Sequence, residues 1–165
     1  MGQNRKHHSR FIGDLLTGQY EEWKFAEKPI GETTVKKIEK ALDIKFPSDY
    51  VTTILNNNGA RPSKKIFDFK NTKGAVFNRL HGLSEDSSSF ILEVFEDYQD
   101  GRMLSGVVPF ACDPFGNEIC FDYRLNKENP SVVFWDHEIA YEDPDKALSH
   151  ICDSFTELVN KLYEE

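Results

Sequence analysis

The run "VVPFACDPFGNEICFD", Val107 to Asp122, constrains the fold more than any other stretch of the chain. Two series of β-formers flank a short polar break. Asp113-Pro114 opens a turn, because an Asp side chain accepts hydrogen bonds from the backbone just ahead and proline fixes the next φ. Gly116 supplies a position that tolerates a conformation other residues avoid. The spacing therefore predicts a β-hairpin turning at "PFGN". "PSVVFWDH" reads as a further strand, with "IAYE" continuing it or pairing beyond it. Trp135, Phe121 and Phe155 are expected in the core.

Helices are expected on either side of these strands. In "GETTVKKIEKALDI", Val35, Ile38, Ala41 and Leu42 recur at helical spacing and form one apolar stripe. "FPSDYVTTILNNNGA" places Pro47 at a first helical position, Tyr50, Val51, Ile54 and Leu55 on the inner face, and Asn58-Gly59 at the end. "IFDF" and "AVFNRLHGL" read as strands joined by a polar loop. "SSSFILEVFEDY" reads as a serine-capped helix with Ile91, Leu92, Phe95 and Tyr98 inward. A last helix is expected from Pro144 onward, with Leu148, Ile151, Phe155, Leu158, Val159 and Leu162 on its stripe. The order implies a single α+β domain, a mostly antiparallel sheet with helices packed against it. Its expected bounds are 23–165. Residues 1–22 form an N-terminal arm and lead-in, anchored through Trp23 and Phe25.

Composition limits what such a domain can do. Thirteen Phe, six Tyr and two Trp in 165 residues can bury a sizeable core. The formal net charge is −8, and it is uneven: the first ten residues carry +3 and the remainder −11. Six acids and no base fall between Glu85 and Asp100, and nine acids with two lysines between Asp136 and Glu165. So acidic a body repels phosphate backbones, which argues against nucleic acid as the main ligand and favours a basic partner. Cys112, Cys120 and Cys152 are odd in number and form no CxxC pair, so neither a disulfide framework nor a structural zinc site is expected. No apolar run has membrane-spanning length, and no apolar stretch follows the N-terminal basic residues as in a signal peptide. A cytoplasmic protein is the default expectation.

Three constellations invite a chemical reading. Asp136-His137-Glu138 could suggest a metal or acid–base site. In an extended strand, however, Asp136 and Glu138 share one side and His137 points away. No HExxH or spaced histidine pair accompanies them. Asp113, Asn117 and Asp122 lack calcium-loop spacing and suit a shaped turn. The adjacent His7 and His8 read as incidental to a polar tail. Cys112 and Cys120 lack a local base and read as buried thiols. No GxSxG elbow, P-loop or GxGxxG is present. A hydrolase using Asp113, Asp122, Asp136, His137 and Glu138 remains the enzymatic alternative. No cofactor and no bound metal are expected.

Four ordered blocks carry a family resemblance. "IGETTVKKIEKALDIKFPSDYVTTILNNNGARP", "LHGLSED", "VVPFACDPFGNEICFD" and "VVFWDHE" together resemble the SUKH superfamily, that of the yeast cell-wall assembly regulator and of many bacterial immunity proteins. Phe46 stands where Leu is commoner before Pro47, and Cys112 where a small or acidic residue is common. The resemblance covers about residues 20–163. It implies an α+β fold without catalytic activity and a bacterial immunity protein that binds and neutralises a toxin, often a nuclease with a basic active site. A regulatory protein-interaction scaffold is the alternative. Pro47, Gly59, Asp113, Gly116, Asn117 and Trp135 are then the fold-determining residues. Glu138, Glu142, Asp143, Asp136 and Asp97 are the candidate partner contacts, chosen because they lie in the acidic stretches.

Overall fold

The structure, a computed structural model, describes residues 22–165. The expected arm up to residue 21, with His7 and His8, lies outside the described residues. The chain opens with a short β1 (Trp23–Lys24) and proceeds to α1 (Glu32–Leu42) and α2 (Ser48–Ile54). Val35, Ile38 and Leu42 bury one face of α1. Ala41, expected on that stripe, is exposed. Asp43 closes α1 in the left-handed conformation, its N–H bonding the carbonyls of Glu39 and Lys40. The Glu39 carboxylate accepts from the Phe46 N–H at 2.7 Å and so shapes the link into α2. Pro47 stands just before the first residue of α2, where no N–H is required. α2 ends at Ile54, and Asn58-Gly59 follows in a loop rather than terminating the helix.

β2 (Arg61–Pro62) pairs with β1, and β3 (Ile66–Phe69) forms a hairpin with β4 (Thr72–Val76). The main sheet is antiparallel in the order β5 (Arg79–Leu80), β6 (Val107–Cys112), β7 (Glu118–Asp122), β8 (Ser131–Trp135), β9 (Leu148–Cys152). The β6–β7 register shifts between Pro109 and Ala111. Proline cannot donate to a ladder, and a strand irregularity is where a sheet accepts one. Between β5 and β6 lies α3 (Ile91–Asp97).

Both faces of the sheet are covered, and all of β7 is therefore buried. On one face, Phe110 and Phe121 stack with centroids 4.0 Å apart. The Tyr50 ring of α2 meets both edge-on, and it meets Phe155 in the same manner. Trp23 stacks on Phe155 from the N-terminal side, whereas Phe25 is 80% exposed with a positive φ and anchors nothing. The Asp49 carboxylate accepts from the N–H and hydroxyl of Thr156, which ties α2 to the C-terminal helix. On the other face, Trp135 gathers Met103, Val107, Cys120 and Val133. Its ring lies 4.5 Å from that of Tyr98, and its indole N–H donates to the Arg102 carbonyl.

Three expectations are corrected. The stretch after Trp135 is not strand but α4 (His137–Glu142), because the Asp136 carboxylate accepts from the N–H groups of Glu138 and Ile139 and starts a helix. The long terminal helix is instead a 3-10 turn (Pro144–Lys146), β9, and α5 (Phe155–Lys161). Its apolar spacing satisfied a helical period, but Leu148–Cys152 pairs along the open edge of β8, and Ser154 caps α5 at Glu157. Tertiary pairing overrode the local period. Finally, no serine caps α3. Phe90 occupies that position, and Ser87, Ser88 and Ser89 are bonded elsewhere.

Trp135→Ala should cost about 3–5 kcal/mol of stability, the range for truncating a buried aromatic. Urea unfolding followed by tyrosine fluorescence and circular dichroism measures it. An unchanged midpoint would refute this assignment of the second core.

Candidate functional site

The two stretches singled out in the sequence meet in space. In the β6–β7 turn, the Asp113 carboxylate accepts from the N–H groups of Phe115 and Asn117, and from the Asn117 side-chain amide at 2.8 Å. This turns the Asn117 carbonyl oxygen toward α4, where it receives the backbone N–H of His137 at 3.0 Å and ring Nδ1 at 2.7 Å. A carbonyl oxygen only accepts, so His137 carries its proton on Nδ1. One amide thus joins the turn to the first residue of α4. Gly116 sits between them with φ +92, and a Cβ there would lie 3.4 Å from the His137 ring.

Beneath the turn is a buried polar chain. His81 Nε2 lies 2.6 Å from a Glu118 oxygen, and Nδ1 lies 2.7 Å from the Ser89 hydroxyl. The second Glu118 oxygen accepts from Tyr98 at 3.2 Å. Burial pushes the Glu118 carboxyl above its ordinary range, against the opposing pull of His81 and Tyr98. A second knot lies at Glu27. Its carboxylate accepts from both Ser87 and Ser88 and pairs with Arg79. Partial burial opposes ionisation there, but these bonds and the arginine hold the group below the usual range. A side chain at Gly59, where φ is +68, would run into the Glu27 carboxylate. Asn58 completes this region by bonding the Leu83 N–H and Ser84.

The structure distributes the acids of the hydrolase alternative rather than converging them. Asp113 is spent on its turn. Asp122 forks onto Arg124 at 2.9 Å, and though burial opposes it, that partner holds its carboxyl low. Asp136 caps α4, and Glu138 projects outward with its side chain 85% exposed. Among the described residues, no group of three or more His, Cys, Asp or Glu could hold a metal ion. Burial raises the Cys112 thiol to about 11 and the Cys152 thiol to about 12, and raises Cys120 well above its ordinary value. At neutral pH these thiols are protonated and poor nucleophiles.

Four of the candidate partner contacts lie on or beside α4, and the fifth, Asp97, lies at the end of α3. Glu138 and Glu142 are exposed on α4, and Asp143 follows, capping the 3-10 turn through the Asp145 N–H. Asp97 is exposed at the end of α3, next to Tyr98, whose ring packs on Trp135 beside Asp136. Three large apolar side chains are exposed on α4 and on the β6–β7 turn joined to it: Tyr141 (84%) and Ile139 (42%) on α4, and Phe115 (70%) on the turn.

Residues 32–159 match the SUKH_6 family, SMI1-KNR4 cell-wall. The chain belongs to that family. It is also 29% identical over 149 residues to the SPbeta prophage-derived uncharacterized protein YokK of Bacillus subtilis (strain 168), covering 79% of this chain and 73% of that protein. In this SUKH chain the sequence pointed to Asp113, Gly116, Asn117 and Trp135 individually. It did not reveal the His81–Glu118 pair or the Glu27 knot. Their partners are 37 and about 60 residues apart, and a lone His or Glu carries no local sign of a distant mate.

Gly116→Val should destabilise the domain by at least about 1–2 kcal/mol, since a β-branched residue is strained at positive φ. Thermal melts check this, and an unchanged melting temperature would remove the argument. Glu27 gives a pH test. Its folded pKa is depressed, so its contribution is present above the unfolded value near 4.5 and is lost as pH falls through the folded value. The stability gap between the native chain and Glu27→Gln should stay constant near neutrality and narrow in acid. A gap that widens in acid would contradict the geometry.

Proposed function

We propose that this SUKH chain is a non-catalytic cytoplasmic immunity protein that binds and neutralises a protein toxin, best matched by a nuclease domain with a basic surface. The observation that carries the reading is the exposure of Phe115, Ile139 and Tyr141 on the turn and helix that Asn117 joins, with Glu138 and Glu142 exposed on the same helix. Exposed aromatics are the residues most often found to dominate a protein interface, and charges around them speed encounter more than they add affinity. Glu138 and Glu142 form the rim of this surface, with Asp143, Asp136 and Asp97 adding to its field. Asp136 and Asp143 also serve as caps, so they act through charge rather than by reaching across. The prior commitment of Asp113, Asp122 and Asp136 to local structure speaks against the hydrolase alternative. No helix among the described residues is long and apolar enough to cross a membrane.

The test is to sequence the neighbouring genes for a secreted protein with a C-terminal toxin domain and to measure stopped-flow association with that domain across a salt series. The Debye length falls from about 30 Å at 0.01 M to about 8 Å at 0.15 M, so association should slow as salt rises. The triple reversal at Glu138, Glu142 and Asp143 should lower the on-rate by roughly an order of magnitude at low salt. Because Asp143 is a cap, the double Glu138→Lys, Glu142→Lys variant separates charge from folding. Phe115→Ala with Tyr141→Ala should instead raise the off-rate, costing about 2 kcal/mol or more. A salt-independent on-rate would sink the acidic rim. Unchanged dissociation in the aromatic variant would move the interface elsewhere.

A further inference from the structure

A groove of about 820 Å³ opens where the end of α1 and the α1–α2 link face α3, the loop before β6 and the segment after β7. Its size is that of a ligand site. Leu42, Ile44, Phe95 and Leu104 give it an apolar floor. One wall is fixed, because the Tyr123 hydroxyl donates to the Lys45 carbonyl at 2.9 Å. The rim has a charge opposite to that of the chain as a whole. Lys40, Lys45 and Lys127 line it, all exposed, and among the described residues none has an ion-pair partner. Two acids, Glu39 and Asp43, also line it, so the three lysines exceed them by one charge. Arg124 is held by Asp122.

Lys40 alone would be unremarkable, since a cation in the last turn of a helix meets the negative end of its dipole. Lys45 and Lys127 have no such reason to be there. They come from two separate segments, in a protein of net charge −8, and they flank apolar surface that nothing in the chain's described part covers. We infer that this groove is a docking site for an acidic protein segment in which one or two apolar side chains fill the floor and flanking carboxylates meet Lys45 and Lys127. It is independent of the acidic surface around α4, whose partner must be basic.

The test uses the full chain and three fluorescein-labelled hexapeptides, EDLFED, KKLFKK and EDSSED. Fluorescence anisotropy should give binding of EDLFED at least roughly tenfold tighter than of the other two, weakening with salt. In ¹⁵N-labelled protein, EDLFED should shift the amides of 42–45, 104–106 and 123–127. Lys45→Glu with Lys127→Glu should weaken binding by roughly tenfold or more without changing the melting temperature, since both side chains are exposed. Leu104→Ser should weaken it through the floor alone. Equal binding of KKLFKK, shifts mapping elsewhere, or indifference to the double reversal would overturn the site. So would two findings without peptide. Concentration-dependent shifts of the same amides would give the groove to a second copy. Concentration-independent contacts from residues 1–21 would give it to the chain itself.

Discussion

The Phe110–Phe121 stack is the contact on which the rest of the structure depends. The two rings belong to adjacent strands and lie 4.0 Å apart and nearly parallel, so they hold β6 against β7. Tyr50 then sets its edge on both, bringing in α2, and Phe46 follows at 4.8 Å from Tyr50 with the α1–α2 link. Phe155 closes the same cluster from α5, and Trp23 covers Phe155. Elements from the two ends of the chain thus meet on one pair of side chains. The arrangement tolerates a defect at its centre: the Tyr50 hydroxyl is fully buried with no hydrogen-bond partner among the described residues. An unsatisfied hydroxyl costs on the order of 1–3 kcal/mol, a loss that ring packing has to outweigh.

The opposite face of the sheet is organised differently, by polar groups that are nearly all satisfied. β7 alternates, sending Ile119 and Phe121 to the aromatic side and Glu118, Cys120 and Asp122 to the other. Glu118 sits there only because His81 and Tyr98 meet both its oxygens. Those partners bring the 81–89 loop and the end of α3 to β7. The Asn117 amide does the same for α4. A one-residue slip of β7 would bury Asn117 in place of Glu118 and break both joints, so polar satisfaction and hydrophobic alternation select the same register. The exposed side chains of Phe115 and Tyr141 are carried by the turn and the helix that the Asn117 amide joins.

What the sequence made legible follows from this division. Local chemistry was readable: the Asp113–Asn117 turn, the buried stripe of α1, the burial of Trp135. Non-local events were not. Leu148–Cys152 looked helical because its apolar residues fit a 3.6 period, and only the open edge of β8 makes it a strand. His137–Glu142 looked extended because it follows a strong strand, yet Asp136 is a helix cap in sequence terms as well. That signal was present and was outweighed by the run of β-formers before it. The Glu27 knot was unreadable, since its partners lie far along the chain, Arg79 on β5 and Ser87 and Ser88 in the loop after it.

The acids illustrate how structure divides a feature that composition reports as one number. Asp49, Asp113, Asp122, Asp136 and Asp143 each accept from backbone N–H groups or a neighbouring side chain and hold an element in place. Glu138 and Glu142 do no comparable work and remain on the surface. Around α4 the acids therefore fall into two populations, the caps Asp136 and Asp143 and the exposed Glu138 and Glu142. One cannot change sign without loosening the chain, and the other can. Reversing Glu138 or Glu142 therefore alters charge alone, whereas reversing Asp136 or Asp143 alters charge and a helix start together.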